Sequence, residues 1–317
     1  MMFLQFGIYG LWLPIAGRFL TASTTNGGLG FTEGQSGMIV GFAAAIGAVC
    51  APFIVQFADR RFPAQKFLGV LMIVGGVLKI VTYYQTSLTA WLLLSICFSL
   101  LFMPCAAICN AIPMRHLANP QREWPGVRMW TAVAWVLVGW TFSLVVLTNN
   151  PAPHFLPPFF KGEQVPRAGA AMLTSVLWSG ILAIIYGVLA FLFGPPTPPL
   201  RKPGESQTNT LAKAFGLLKV RSFAVMIGVS LVMSAVHVIY FMQCAKFLSA
   251  AGLHDAYIMP AMAIGQLCEI GMYLVLGRLL PRLGFRTVIA IGIAFFCIRF
   301  LILGTVALPL WVMVVAQ

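Results

Sequence analysis

The sequence predicts an all-α integral membrane protein with about nine complete spans and the start of a tenth. Three observations lead there. The chain is 60% hydrophobic and 9% charged with a mean hydropathy of +0.92, which excludes a soluble globular domain. Apolar runs of about twenty residues, enough to cross a bilayer, recur along its 317 residues. Its basic residues collect on one side of the alternating loops. On that pattern the net charge of +13 belongs to loops facing lipid headgroups and cytoplasm, so no nucleic-acid partner is expected.

Residues 1–19 form the first apolar segment, in which Gln5, Tyr9 and Trp12 recur at helical spacing and make one polar-aromatic stripe. The Gly- and Thr-rich stretch 21–35 reads as a loop. Span two, 36–57, carries small residues from Gly41 to Ala48 that permit close helix approach. After the loop 58–66 come span three (67–84) and span four (88–114). In span four Pro104 can bend the helix and Asn110 can bond across helices. Span five runs 128–147, a Pro-rich non-helical stretch covers 149–171, and span six runs 172–193. The polar segment 194–221 reads as a linker. Spans seven (223–244), eight (257–280) and nine (288–308) follow. The apolar run LWVMVVAQ after Pro309 is too short to cross a bilayer, so the chain is expected to stop inside a tenth span.

Orientation follows from the basic residues. Fourteen of the 20 Lys and Arg fall in loops on the side of the N-terminus, and Arg18, Lys79, Lys161, Arg167 and Lys246 fall on the other, with Arg299 inside span nine. The positive-inside rule therefore puts the N-terminus in the cytoplasm. The seven cysteines sit in predicted spans without metal-ligand spacing, so neither a metal nor any other cofactor is expected. No HExxH, no paired intramembrane aspartates and no phosphate-cradling glycine loop is present, and no enzymatic activity is expected.

Of the seven acids only Glu269 lies inside a predicted span. Gln266, three residues earlier, shares its helix face. A carboxyl group within lipid is costly and is functional by default; the other reading is an acid hydrogen-bonded inside a bundle and used for packing alone. Arg128, Ala132 and Trp135 recur at i, i+4 and i+7 on span five. There Arg128 either faces a cavity or snorkels to the cytoplasmic boundary, and Trp135 either stacks on a ligand or packs. His237 and Tyr240 share a face of span seven, as ligand groups or as structural ones. Asp59 with Arg60 reads as a gating or loop-stabilising pair, and Arg299 is a candidate partner for Glu269.

Two loops form an internal repeat: VQFADRRFPAQK from Val55 and GRLLPRLGFR from Gly277, with Arg60 in register with Arg282. The pattern resembles the major facilitator superfamily, with Val55 and Phe62 in place of glycines and Pro281 in place of an acid. The resemblance implies a major-facilitator-type helical bundle: residues 1–193 as a six-helix half, 194–221 as a cytoplasmic linker, and 222–317 as an incomplete second half holding helices seven to nine and the start of ten. Asp59, Arg60 and Arg282 would be its gating loops. A nearer likeness runs through FLQFGIYGLWLPIAGRFL, MPCAAICN, WPGVRMWTAVAW, QLCE and LPRLGFRTVIAIGIAFFCIRF, which together resemble the nucleoside:proton symporter family. That likeness matches Arg128 to the family's cavity arginine and Gln266 with Glu269 to its Q-x-x-E pair. It departs from the family at Ala132, Trp135 and His237-x-x-Tyr240, and a family acid in helix ten would lie beyond Gln317. It implies a proton-coupled symporter of the bacterial inner membrane that works by alternating access. A nucleoside would bind among Arg128, Trp135, His237, Tyr240, Gln266 and Glu269, with Glu269 coupling transport to protons. A symporter of sugars or other small organic solutes, or a non-transporting membrane protein that reuses the fold, are the alternatives.

Overall fold

The computed structural model of the chain describes residues 1–154, 160–199, 216–305 and 309–317. Most of the described chain is helix. In order these are α1 (Met2–Thr21), α2 (Glu33–Arg61), α3 (Ala64–Tyr83), α4 (Leu88–His116), α5 (Pro120–Phe142), α6 (Ala168–Phe193), α7 (Arg221–Ala250), α8 (Asp255–Leu280), α9 (Arg282–Gly304) and the short α10 (Leu310–Val315). Among the described residues, eight helices are long and apolar enough to cross a membrane, α2 to α9. With 20 residues α1 is long enough as well, but Gln5, Pro14 and Arg18 dilute its apolar run. Large hydrophobic side chains such as Phe53, Leu93, Phe191 and Phe295 stand exposed on these helices, as lipid-facing surfaces require.

The sequence sets the helix ends locally. α2 opens on a capping box: Thr32 Oγ1 accepts from the Gln35 backbone N–H at 3.3 Å, and Gln35 Oε1 accepts from the Thr32 N–H at 2.9 Å. A π-helical turn at Met38–Phe42 interrupts it. Pro63, which cannot continue a helix, separates α2 from α3. Between α8 and α9 no long loop intervenes: the segment read as GRLLPRLGFR is largely helical, and its corner is Gly284, whose φ of 74° only glycine adopts without strain. The stretch read as Pro-rich and non-helical holds an antiparallel hairpin, β1 (Thr148–Pro153) with β2 (Phe160–Gln164), bulged between Asn149 and Ala152. α6 begins at Ala168, four residues before the predicted start, because the Ala- and Gly-containing run AGAA extends the helix. The linker reading for 194–221 falls mainly on residues 200–215, outside the described ones. Of its described part, Thr197 is buried and donates its N–H to Gln65 Oε1 at 2.9 Å.

The chain forms two compact units, and each gathers segments from both sides of the linker. The first contains Phe31–Arg115 and Val176–Gln243. Here α3 and α6 are interlocked by glycines. A Cβ on Gly76 would stand 2.6 Å from the Gly180 carbonyl oxygen, and one on Gly69 would stand 2.7 Å from that of Gly187. The two pairs run antiparallel, seven residues apart on each helix, so the backbones approach as the membrane favours. Lys79 is buried near the end of α3, with Nζ 4.6 Å from the Phe98 ring centre. Tyr186 on α6 donates its hydroxyl to Cys109 Sγ on α4 at 3.5 Å.

The second unit contains Met2–Gly30, His116–Ser175 and Cys244–Gln317. Its α1 packs chiefly on α5, and the chain from Ile264 onward packs on α5 as well. Gly10 lets α1 approach Trp135, whose ring would lie 3.1 Å from a Cβ there. The hairpin is tied to the start of α8. Tyr257 Oη accepts from the Gly162 N–H at 2.7 Å and donates to the Gly162 carbonyl at 2.8 Å, while the Asp255 N–H donates to Gln164 Oε1 at 3.2 Å. Arg18, at the end of α1, pairs with the buried Asp255 at 2.9 Å.

Candidate functional site

α8 is an apolar helix with one polar face. Gln266, Glu269 and Tyr273 follow at spacings of three and four, which puts them over successive turns of one side. All three are half-buried. The Tyr273 hydroxyl donates to Glu269 Oε1 at 2.9 Å. Gln266 shows no side-chain hydrogen bond to another described residue.

α5 supplies the opposite charge. Arg128 lies just past the Pro-containing start of α5, near enough to the Tyr273 hydroxyl to act on it electrostatically. Its other face rests on Phe6 of α1, with Cζ 4.7 Å from the ring centre, a cation–π contact. Thr131 Oγ1 donates back to the Arg128 carbonyl at 2.8 Å and holds that turn. Three helices of the second unit thus bring Phe6, Arg128, Tyr273 and Glu269 into one neighbourhood. Arg128 itself is half-buried.

Trp135, two turns further along α5, packs over Gly10 and meets the Tyr9 ring edge-on, with centroids 6.3 Å apart. It is half-buried. Ala132, between Arg128 and Trp135, is fully buried and offers packing without a hydroxyl. His237 and Tyr240 belong to the first unit, on α7. There His237 is exposed, Tyr240 is buried, and the imidazole stands edge-on to Phe241 with centroids 4.7 Å apart.

Among the described residues Asp59 pairs with Arg115 at the end of α4, at 3.1 Å. Consecutive residues on a helix point about 100° apart and do not face each other, whereas Arg115 comes to Asp59 from another helix. Arg282 opens α9 and is exposed. Arg299, considered as a partner for Glu269, donates from Nη2 to Gln317 Oε1 at 3.1 Å.

Sequence reasoning missed Tyr273 and the Arg18–Asp255 pair. Tyr273 was legible in principle, one turn after the only acid of a predicted span. The ion pair was not, because its members are 237 residues apart and each reads as a loop-junction charge.

The profile described as "Nucleoside H+ symporter" matches residues 1–317, the whole chain. The chain belongs to the nucleoside H+ symporter family. This family member is 28% identical over 303 residues to the Escherichia coli (strain K12) protein YegT, covering 95% of the chain and 65% of YegT. It is 24% identical over 329 residues to the xanthosine permease of the same organism and 23% identical over 313 residues to its nucleoside permease NupG, covering 68% of each. The symporter-family chain therefore spans about two thirds of the length of these relatives. The crystal structure of the nucleoside transporter NupG superposes on 99% of the chain with a TM-score of 0.73 at 20% identity, covering 75% of that protein; its D323A mutant gives a TM-score of 0.75 at 21% identity. At such identity the likeness establishes the fold, a major-facilitator-type helical bundle in a multi-pass membrane protein.

Proposed function

We propose that the protein is a secondary transporter that carries nucleosides together with protons by alternating access. The reading rests on one observation above all: Glu269, a carboxylate inside a membrane-crossing helix, is held by Tyr273, with Arg128 of another helix near the same hydroxyl. A group that takes up a proton and an arginine whose fork suits hydroxyls and carbonyls stand together, in a chain whose full length matches a nucleoside symporter family.

In this reading Gln266 and Glu269 bond the hydroxyls of the solute, Trp135 flanks it, and Arg128 completes the wall. A phosphate would call for several basic groups, so nucleotides are not carried. The protein sits in the bacterial inner membrane with its N-terminus inside. It uses α1 as a first span beside the eight of α2 to α9, and residues 1–193 and 222–317 act as the rocking halves on either side of a cytoplasmic linker. The Asp59–Arg115 pair and the loops at Arg60 and Arg282 act as cytoplasmic gates.

The test is uptake by the protein in proteoliposomes with an inward proton gradient. Radiolabelled uridine and adenosine accumulate and collapse of the gradient abolishes accumulation, whereas uridine monophosphate and glucose are excluded. Accumulation of glucose in place of nucleosides would defeat the substrate class.

A further inference from the structure

We propose that Tyr273 is a positioning residue of the proton-coupling group, whose hydroxyl holds the Glu269 carboxylate in place and links it to Arg128. The inference rests on the reading of Glu269 given above and adds to it a residue that the sequence did not single out.

The geometry is specific. A phenol hydroxyl has one proton to donate and lone pairs to accept. Here the proton goes to Glu269 Oε1 at 2.9 Å, and Arg128 is near enough to act on the hydroxyl. The tyrosine therefore acts as a neutral spacer near both carboxylate and guanidinium. It passes the stabilising influence of the cation to the acid without letting the two lock into a direct ion pair, which would be costly to open at each transport cycle. The ring is rigid, with two torsions, and sits one turn from the acid on the same helix, so it moves with Glu269 wherever α8 moves. Arg128 is braced on Phe6, which makes the arginine end of the link the fixed one.

The other ionisable groups around this face are accounted for. Arg299 of α9 approaches α8 at Gly265, one turn before Glu269, with Nη2 3.9 Å from the Cβ position there, and donates to Gln317. Tyr9 of α1 packs on Trp12 and Trp135. Among the described residues Tyr273 is the group that donates to the carboxylate.

A donated hydrogen bond favours the charged carboxylate over the protonated one. Tyr273→Phe removes that donor and leaves the ring in place. In proteoliposomes the Tyr273→Phe variant is therefore expected to move the external pH of half-maximal uridine accumulation upward. Net accumulation at neutral pH is expected to fall about three- to tenfold, with counterflow exchange within about twofold of the parent. Incorporating 3-fluorotyrosine at 273, a stronger donor of nearly the same shape, is expected to move the midpoint downward. Opposite shifts from two nearly isosteric changes are not the outcome of a packing role. An unshifted profile in both variants, at parental levels of insertion, overturns the proposal, and so does loss of exchange and accumulation together in both. Glu269→Gln run alongside separates the two readings. If it accumulates uridine like the parent, the proton role of Glu269 has failed. If it does not, and Tyr273→Phe keeps the parental profile, only the positioning role has failed.

Discussion

The Tyr273 hydroxyl meets the Glu269 carboxylate at 2.9 Å, one helical turn away on the same face of α8. An ionisable group in a membrane helix is unfavourable by at least about 2.5 kcal/mol unless it faces protein or water. The contact lowers that cost: the acid is half-buried and keeps one oxygen on a neutral donor.

The first prediction concerns that acid. Glu269→Gln preserves shape and hydrogen bonding but cannot carry a proton. Counterflow exchange is expected to persist within about threefold, while accumulation driven by a proton gradient falls by about tenfold or more, since a tenfold loss corresponds to about 1.4 kcal/mol. Both are read from the same proteoliposomes. Exchange and accumulation both surviving would reduce Glu269 to a packing group.

Gln266 has an amide with no partner among the described side chains. Gln266→Ala is expected to weaken nucleoside binding by about 1–3 kcal/mol, the cost of leaving a buried hydroxyl unpaired, without lowering the melting temperature. Isothermal titration with uridine beside a thermal melt in detergent checks both parts, and unchanged affinity would remove Gln266 from the site.

Gly76 and Gly180 touch backbone to backbone, 2.6 Å from a would-be Cβ to a carbonyl oxygen. A side chain there has no room, because the obstacle is main chain and cannot rotate away. Gly76→Leu is expected to destabilise the first unit by about 3 kcal/mol, whereas Gly216→Leu, at a glycine with open space around it, costs little. Fluorescence-detected thermal unfolding in detergent distinguishes the two.

Asp255 is buried and Arg18 is partly exposed, with side-chain exposures of 4% and 30%. Removing the arginine strands a buried charge, so Arg18→Ala is expected to cost about 2 kcal/mol, discounted from a fully buried pair for the open side. The Arg18→Ala/Asp255→Asn double variant recovers part of that loss. A double variant no more stable than Arg18→Ala would mean that the pair contributes nothing.

Topology is checked by labelling. Single cysteines at 60 and 282, in an otherwise cysteine-free background, are expected to react with an impermeant maleimide from the cytoplasmic side only. Labelling from opposite sides would break the proposed nine-span arrangement.

The amino-acid order alone determined that this is a helical membrane protein, roughly where its spans run, and that Gln266 and Glu269 share a face. These are local properties, set by apolar run length, by the 3.6-residue period and by turn-forming residues such as Thr32, Gln35 and Pro63. It also carried the family, because the motifs around Arg128 and Glu269 lie in order along the chain. It did not determine the partners. That Asp59 takes Arg115, that Arg18 reaches Asp255, that Tyr273 lies near both Glu269 and Arg128, and that glycines of α3 fit those of α6 were decided by the tertiary structure. Each joins groups whose separation along the chain carries no information about their separation in space, and an electrostatic or hydrogen-bond contact depends on that distance alone. Tyr273 marks the boundary between the two: its place one turn from Glu269 is written in the sequence, and its second neighbour, Arg128, is chosen by the packing of α5 against α8.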